Sequence, residues 1–403
     1  MKRHLLTLIA TAFGLSTQGQ QLPKDTTLSA YSGQTSIQAL GSITLKNGFH
    51  IPVQSGKTVT ISIVSFPTLV SQPTSGQNYI LTKIFKKPGV TLSTLNSQRT
   101  IGEENQTVQY FDGLGRSIQS IQLMASPTYK DIVQHMEYDG FGRESTRYLP
   151  YADIGGNGSY KTGGSGAVKN FYSKTTGTDI AGIVRTDKPY AVTVFENSPL
   201  NRVQEQGAPG AAWQPAANRA SVAMTSTGGH TIVTDYGTNI ASDVKLWSIN
   251  AAGTGATSSF YSAGKLYKTV TKDENWIQSN GKQGTVEEYK DFEGRIVLKR
   301  IWETDTKKLE THYVYNDFGD LRYVIPPGYT ATTVTDNNAD FNELLYAYKY
   351  DSRRRTVEKK VPGKGWEWIV YNNNDQPILT QDAVQRGKAS KEWRYTKYDA
   401  FGR

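Results

Sequence analysis

The sequence predicts an all-β protein, in which a small N-terminal β module is followed by stacked antiparallel β-hairpins. Apolar residues alternate with polar ones in many segments, as at Val59, Ile61 and Ile63, and this period of two is typical of strands. The 403 residues include 38 Gly and 15 Pro, which favour frequent turns. A short phrase also recurs, as EYDGFGRE at 137–144 and KYDAFGR at 397–403.

The composition narrows the class of protein. Hydrophobic residues make up 37% of the chain and 24 residues are Tyr, which is enough to build a core and argues against global disorder. The net charge of +9 is interspersed with acidic residues, so we expect a solvated surface and no nucleic-acid partner. The chain has no Cys, which excludes disulfides, thiol nucleophiles and thiolate metal sites.

The first residues have the pattern of a secretory signal peptide. Lys2 and Arg3 form a positive start, and the apolar stretch from Leu5 to Leu15 that follows is too short to span a bilayer. Cleavage is expected near Gly19, with a buried N-terminal helix as the alternative interpretation. We therefore expect an exported protein, secreted or in the cell envelope of a Gram-negative-type bacterium, that meets a membrane only during export.

Local composition suggests where the segments begin and end. Asn47 and Gly48 predict a turn between two strands of the N-terminal module, and the Pro-, Ser- and Thr-rich residues 66–77 indicate a linker. The Gly-rich residues 155–166 predict an exposed loop, and ADFNELL at 339–345 predicts a short helix. The expected segments are the leader 1–20, the β module 21–65, the linker 66–77, a domain over 78–215, a β-rich connecting region over 216–275 and repeats over 276–403.

The recurring phrase has the chemistry of a hairpin tip. Asp139 and Gly142 suit the first and last positions of a type I turn, and the Asp139 side chain can accept backbone hydrogen bonds within it. Gly142 can adopt the positive φ that a three-residue hairpin loop with a bulge requires. Tyr138 and Arg143 would then be cross-strand neighbours, with the guanidinium over the ring contributing roughly 0.5–1 kcal/mol. No part of the phrase requires a ligand.

Copies of the phrase recur at intervals of about 20 to 35 residues, which marks an array of stacked supersecondary units. A hairpin alone is marginally stable, and stacking buries the faces of neighbours together. We interpret the tyrosines as packing and hairpin partners, with a sugar-binding surface as the alternative for some of them. The residues assigned to the structural turns are Tyr110, Asp112, Gly115, Arg116, Tyr138, Asp139, Gly142, Arg143, Tyr289, Asp291, Gly294, Arg295, Tyr315, Asp317, Gly319, Tyr350, Asp351, Tyr398, Asp399, Gly402 and Arg403.

These copies resemble YD repeats, the units of RHS repeat proteins. The flanking stretches NSPLNRVQEQGAPGAAW at 197–213, YVIPPG at 323–328 and KKVPGKGWEWIVYNNNDQPILTQDA at 359–383 also resemble stretches of secreted bacterial members. Residues 78–215 resemble the uncharacterised N-terminal domain that precedes the repeats in those proteins. The N-terminal module resembles a coat-hanger stack, chiefly through GSITLKNGFHI at 41–51.

The resemblance implies an architecture and a role. RHS repeats wind a long β-sheet into a hollow shell, so we expect the hairpins to form part of a curved or spiral wall. In toxin complexes and polymorphic toxins the shell encloses a C-terminal effector, so the implied partners are such an effector or further repeats outside this chain. The repeats stop within a copy at Arg403, and we expect a fragment. The alternative function is a cell-surface adhesin or carbohydrate-binding protein whose partners are glycans.

The sequence contains no convincing catalytic, cofactor or metal motif. QSGKT at 54–58 imitates a phosphate-binding loop, but the position of its first glycine is Ile51. Residues 336–347 imitate a calcium loop, but Phe341 and Ala347 occupy its glycine and glutamate positions. No two histidines have the spacing of a zinc-binding helix. We therefore expect no enzyme activity, no cofactor and no metal.

Overall fold

The fold is all-β, as predicted, and the chain divides into two compact units. One unit comprises Met1–Val133 with Ala152–Tyr160, and the other comprises Gln134–Tyr151 with Lys161–Arg403. The predicted domain 78–215 is therefore shared between the two units, and the predicted leader 1–20 lies outside the described residues. The structure, a computed structural model, describes residues 25–33, 35–39, 42–52, 58–174, 182–216 and 228–403.

The first unit begins with two pairs of parallel strands. Strand β1 pairs with β3 and β2 pairs with β4, both in parallel. The expected turn at Asn47 and Gly48 is present, since Phe49 N–H donates to the Lys46 carbonyl at 3.0 Å and Gly48 has a φ of 88°. It does not join a hairpin, because the strands before and after it pair with other strands. These strands are β1 (Asp25–Leu28), β2 (Ser36–Ala39), β3 (Ser42–Leu45) and β4 (Thr60–Ile63).

A five-stranded sheet provides the core of the first unit. Its strand order is β10-β8-β7-β6-β5, and Val108, Tyr110 and Ile121 on β6 and β7 are fully buried. Strands β8 and β10 cross the division between the units. The strands are β5 (Asn78–Phe85), β6 (Glu104–Phe111), β7 (Ser117–Gln122), β8 (Asp131–His135) and β10 (Tyr151–Asp153).

Packed residues occur in the predicted linker 66–77 and in the Gly-rich segment that was predicted to be an exposed loop. In the predicted linker 66–77, Leu69 is buried and its N–H donates to the Arg99 carbonyl at 2.8 Å. In the Gly-rich loop 155–166, the Gly158 N–H donates to the buried Asp131 carboxylate at 2.9 Å. A Cβ at Gly158 would lie 2.8 Å from Leu123. The glycine therefore permits close packing, which composition alone does not distinguish from mobility.

The second unit contains a 14-stranded sheet, of order β26-β25-β24-β23-β22-β20-β19-β18-β17-β16-β13-β12-β11-β9. Its pairings are antiparallel, as predicted for stacked hairpins. The strands are β9 (Thr146–Tyr148), β11 (Tyr190–Phe195), β12 (Val203–Gly207), β13 (Thr231–Thr238), β16 (Tyr267–Lys272), β17 (Val286–Lys290), β18 (Ile296–Trp302), β19 (Lys308–Tyr315), β20 (Leu321–Ile325), β22 (Tyr346–Tyr350), β23 (Thr356–Val361), β24 (Gly365–Tyr371), β25 (Pro377–Gln381) and β26 (Arg394–Tyr395).

The predicted connecting region 216–275 contains regular strands in its described part. Strands β14 (Lys245–Ile249) and β15 (Gly255–Phe260) form a three-stranded antiparallel sheet with β21 (Thr333–Thr335). This small sheet packs on the large sheet around Val314 and Tyr323. The sequence pattern of this region does not reveal the sheet, because β15 pairs with β21, which lies more than 70 residues further along the chain.

Helices are few in the described ranges, and none of them is both long and apolar enough to cross a membrane. The predicted short helix is present as α2, which begins after Asn338, whose side chain accepts from the Phe341 N–H. Phe341 is buried in the core beneath the small sheet. The α-helices are α1 (Gly164–Ser173), α2 (Ala339–Leu344) and α3 (Ala383–Gly387).

Candidate functional site

The recurring phrase forms a turn that is held by one carboxylate. Asp139 Oδ1 accepts from the N–H groups of Phe141 and Arg143, each at 2.9 Å, and Oδ2 accepts from Arg143 Nε at 2.8 Å. The Gly142 N–H donates to the Asp139 carbonyl at 2.9 Å, and the φ of Gly142 is 78°. Hydrogen bonds from the Arg143 and Phe141 N–H groups lower the pKa of Asp139, so the carboxylate stays charged.

The same arrangement recurs along both units. In each copy the carboxylate accepts two loop N–H groups and the Nε of the arginine four residues later. Where the glycine is missing, Arg354 takes its place with a φ of 61°. The copies are Asp112 with Gly115 and Arg116, Asp291 with Gly294 and Arg295, Asp351 with Arg355, and Asp399 with Gly402 and Arg403.

In the copy at 315–322 the assignment of Asp317 was wrong by one position. Asn316 Oδ1 accepts from the N–H groups of Phe318 and Asp320, at 3.0 and 2.8 Å. Gly319 has the expected positive φ, 79°. The side-chain amide oxygen of Asn316 replaces the carboxylate oxygen as the acceptor of the loop N–H groups. A sequence pattern that requires an acidic residue therefore does not identify this position. Asn372 does the same in the turn that follows Tyr371.

Four tyrosine hydroxyls in the second unit each join a hairpin to the one before it, and we call each of these hydrogen bonds a tyrosine joint. Each hydroxyl donates to the carbonyl that follows the previous turn, at 2.9 to 3.1 Å. Each of these tyrosines directly precedes a turn. This position places the ring at the end of the sheet where the turns lie, within reach of the carbonyl of the neighbouring hairpin. The pairs are Tyr315 to Ile296, Tyr350 to Leu321, Tyr371 to Thr356 and Tyr398 to Pro377.

Arginine stacks on a ring of the next hairpin, and not on the tyrosine of its own turn. The expected pair of Arg143 with Tyr138 is therefore wrong: Arg143 lies 4.6 Å from the centre of the Phe195 ring and 4.8 Å from that of Phe141. Arg295 lies over Tyr315 at 5.3 Å in the same way. The strand twist and the bulge before each turn displace the flanking residues from one another.

One turn of this kind was missed in the sequence. Arg202 Nε donates to Glu196 Oε1 at 2.9 Å and Arg202 Nη2 donates to Oε2 at 2.7 Å, and Tyr236 donates to the Val203 carbonyl at 2.8 Å. Arg202 lies 4.6 Å from the centre of the Tyr236 ring. A search for Asp and Arg four residues apart does not find this turn, because its loop is longer and Glu replaces Asp.

Tyr110 and Tyr289 are core residues instead of turn residues. Each is fully buried and lies two positions before the aspartate, ahead of the bulge. The Tyr110 hydroxyl donates to the Gly158 carbonyl at 2.7 Å, and the Tyr289 hydroxyl donates to Asp243 at 2.8 Å. They share the spacing of the turn tyrosines in the sequence, but they lie one position earlier relative to the turn and their side chains are in the core.

Ion pairs connect the tips of successive turns in the second unit. Arg354 donates to Asp320 at 2.8 and 2.6 Å. Arg353 and Arg355 donate to Asp375 at 2.8 and 2.6 Å. The tips therefore lie side by side at one end of the large sheet, where the arginines neutralise the acidic residues between them.

Two buried arginines hold the small sheet on the large one. Arg300 Nη2 donates to the carboxylate and the carbonyl of Asp243, each at 3.0 Å, just before β14. Arg300 also binds Glu287 and Glu310. These contacts raise the pKa of Arg300 although burial alone would lower it.

At the other end of the small sheet, Arg322 Nη2 donates to Asp336 at 2.6 Å and to the Gly253 carbonyl at 2.8 Å. Asp336 directly follows β21, and Gly253 lies between β14 and β15. The small sheet is thus fixed at both ends by charged hydrogen bonds shielded from solvent.

Several buried or half-buried ionisable groups of the described residues are used in such contacts. No cluster of three or more histidine or acidic residues able to hold a metal ion occurs within the described ranges. Glu137, for example, accepts from His135 and Tyr148, both at 2.9 Å. Burial and this hydrogen bond raise the pKa of Tyr148 to about 12, which keeps it a hydrogen-bond donor.

Part of the chain matches a known family. Residues 82–226 match the family described as a domain of unknown function, DUF6443. This stretch overlaps the predicted domain 78–215 and spans well under half of the chain. No curated protein matches the chain.

Solved structures of larger proteins show a likeness at 14% identity. TcdB2-TccC3 has a TM-score of 0.44, with 72% of this chain and 12% of that chain covered. TcdB2-TccC3 without its hypervariable C-terminal region has a TM-score of 0.42, with 75% and 12% covered. The Tc holotoxin pore of Photorhabdus luminescens has a TM-score of 0.43, with 74% and 12% covered. The matched part of this chain thus covers about an eighth of the length of each of those chains.

Proposed function

We propose that the chain is a non-enzymatic wall segment of a secreted RHS repeat protein and that its turns are YD repeats. The wall scaffolds, encapsulates or delivers a C-terminal effector outside this chain. The observation that carries the proposal is the series of turns in which each tyrosine donates to the preceding hairpin. Such joints give a continuous sheet with a fixed register, which is what a wall requires.

The use of the ionisable groups supports a structural role. The turn carboxylates are bound to backbone N–H groups and to arginine, and Arg300 and Arg322 fasten one sheet to another. Catalysis requires groups that converge on a pocket and remain available to a substrate. The buried charges described above are already satisfied within the chain.

The alternative, a carbohydrate-binding surface, receives no support from the tyrosines of the turns. A sugar would stack on a free aromatic face, but Arg295 lies over Tyr315 and Arg355 over Tyr371. The hydroxyls of these tyrosines donate to backbone carbonyls. We therefore assign them to the wall.

The proposal is tested on the native product. We would purify the protein from its source, measure its intact mass and map its C-terminal peptides. We expect a product that continues beyond Arg403 into further turns and a tail. The tail should resist protease while the wall is intact.

A variant of the native-length protein tests whether the wall protects the tail from protease or whether the tail resists protease by itself. Replacing Tyr315, Tyr350 and Tyr371 by Phe removes three joints, and we expect faster cleavage of the tail. Replacing the exposed Tyr346 by Phe is the matched control. A native product that ends at Arg403, or a tail that is digested at the same rate in all three proteins, would contradict the proposal.

A further inference from the structure

The small sheet formed by β14, β15 and β21 covers an apolar part of the large sheet. Beneath it lie Val314, Tyr323 and Ala347, all almost fully buried. These residues are cross-strand neighbours on β19, β20 and β22. If the small sheet left, this face would become a continuous apolar surface.

His312 lies at the contact between the two sheets. Its side chain is buried, with 5% of the residue exposed, and its ring is 6.2 Å from the ring of Trp247 on β14 in an edge-on arrangement. His312 Nδ1 and Trp247 Nε1 are buried without a hydrogen-bond partner. A protonated imidazole has two N–H donors, and no acceptor is present for the one at Nδ1.

Burial and four charged groups influence the ionisation of His312, and three of these four groups are positive. Lys245, Arg300 and Lys308 disfavour a charge on the imidazole, whereas Glu310 favours it. Burial is the largest effect, and together these influences lower the pKa of His312 to about 4. The other charged or titratable groups of this contact are Asp243 before β14, Lys268 on β16, Glu287 and Tyr289 on β17, and Arg322 on β20 with Asp336 after β21.

We propose that the small sheet is an acid-sensitive latch, in which protonation of His312 releases β14 and β15 and uncovers the apolar face of β19, β20 and β22. The docked state contains a neutral, buried imidazole beside Trp247, and three cations disfavour a charge on it. The released state exposes the imidazole to water, where a proton is accepted freely. This inference does not depend on the proposed wall function.

The direction of the pH effect follows from the two states. The released histidine has an ordinary pKa near 6.5, above that of the docked one. Docking is therefore fully favoured above pH 6.5 and weakens as the pH falls from 6.5 towards 4. The equilibrium constant for release rises about tenfold per pH unit within this window. The carboxylates that hold Arg300 have lowered pKa values and keep their charge over most of it.

The test is hydrogen–deuterium exchange of the full chain between pH 7 and pH 4.5, corrected for the intrinsic exchange rate at each pH. We expect the protection of peptides from β14 and β15 to fall about tenfold per pH unit below 6.5. Peptides from β23 and β24 in the same samples should keep their protection. His312→Phe retains an aromatic ring against Trp247 but cannot titrate, so its β14 and β15 peptides should not respond to pH.

The matched control is His230→Phe, since His230 also contacts an indole, that of Trp213, at 5.5 Å between ring centres. This variant should respond to pH as the natural protein does. If His312→Phe fails to fold, His312→Asn replaces it. The proposal is overturned if β14 and β15 keep their protection down to pH 4.5, if His312 variants retain the pH response, or if all strands lose protection together.

Discussion

Asp139 makes three hydrogen bonds inside one turn, and this explains the repetition of the phrase. Two of them satisfy loop N–H groups and the third orients Arg143 towards the next hairpin. Because every partner is within four residues, the turn is specified locally and does not depend on the strands that it joins. The same geometry therefore occurs at Asp112 and at Asp291, in different units.

The glycine of the turn is expected to be essential for its conformation. Gly142 has a φ of 78°, and a β-branched residue there is strained by about 1–3 kcal/mol. Gly142→Val should lower the free energy of unfolding by this amount in urea titrations. Gly140→Val is the control, because Gly140 lies in the same loop, has no positive φ and has open space around its Cβ position. Equal effects of the two substitutions would show that the conformation of Gly142 is not the cause.

The acid sensitivity of the longer turn follows from Glu196. Its hydrogen bonds to Arg202 lower its pKa to about 2, so the pairing contributes to stability above the ordinary pKa of about 4.5. This contribution is lost as the pH falls from 4.5 towards 2. In thermal unfolding scans over this range, Glu196→Gln should show a smaller loss of melting temperature than the natural protein. A parallel decline in both proteins would exclude Glu196 as a contributor.

At the scale of the hairpin, stability depends on joints between neighbours. Tyr350 donates to the Leu321 carbonyl across the boundary of two hairpins, at 2.9 Å. A hairpin alone is only marginally stable, and the tyrosine joint lets each hairpin stabilise the next one. The Arg–ring contacts, such as Arg355 over Tyr371 at 4.8 Å, act across the same boundary.

Removing one joint should have a modest and local effect. Tyr350→Phe deletes the hydroxyl and leaves the Leu321 carbonyl without this donor, which should cost about 1 kcal/mol of unfolding free energy. Tyr346→Phe, on the same strand at an exposed position, should change it by less than about 0.5 kcal/mol. Urea titration of both variants measures the difference. A loss in Tyr346→Phe as large as that in Tyr350→Phe would contradict the role of the joint.

The turns could be predicted from sequence because their hydrogen bonds are local, whereas their partners could not. Asp139 and Gly142 identify a turn by residue type, but the contact of Arg143 with Phe195 depends on strand pairing across a long segment. Asn316 and Glu196 were missed or misplaced since an amide or a longer acid can accept the same bonds. The parallel pairs of the N-terminal module have the same alternation as antiparallel ones, so no sequence signal distinguished them.

At the scale of the whole molecule, the chain contains two compact units. The first depends on Tyr110, whose hydroxyl bonds Gly158 and accepts from the Thr74 N–H. The second contains Tyr289, whose hydroxyl takes part in the Arg300 network. Each unit thus buries one tyrosine whose hydroxyl has partners within that unit, and we expect each unit to respond to the loss of its own tyrosine hydroxyl.

Calorimetry should therefore record two unfolding transitions. Tyr110→Phe should lower only one of them and Tyr289→Phe only the other, each by the several degrees that about 1–3 kcal/mol produces. The two variants are controls for each other, since both remove one buried hydroxyl. A single transition that moves in both variants would mean that the units unfold as one.

The tyrosine joints have a direction, because each hydroxyl donates to the hairpin before its own. Tyr350 and Tyr371 both donate to the carbonyl that follows the preceding turn, so a hairpin could be gained by duplication or lost by deletion with both flanking joints intact. The connections at the opposite end of the sheet vary widely, from residues 362–364 to residues 326–345, which include α2. Evolution can thus lengthen the array in whole-hairpin steps and graft new elements at the end away from the turns, while the register of every existing strand is inherited unchanged.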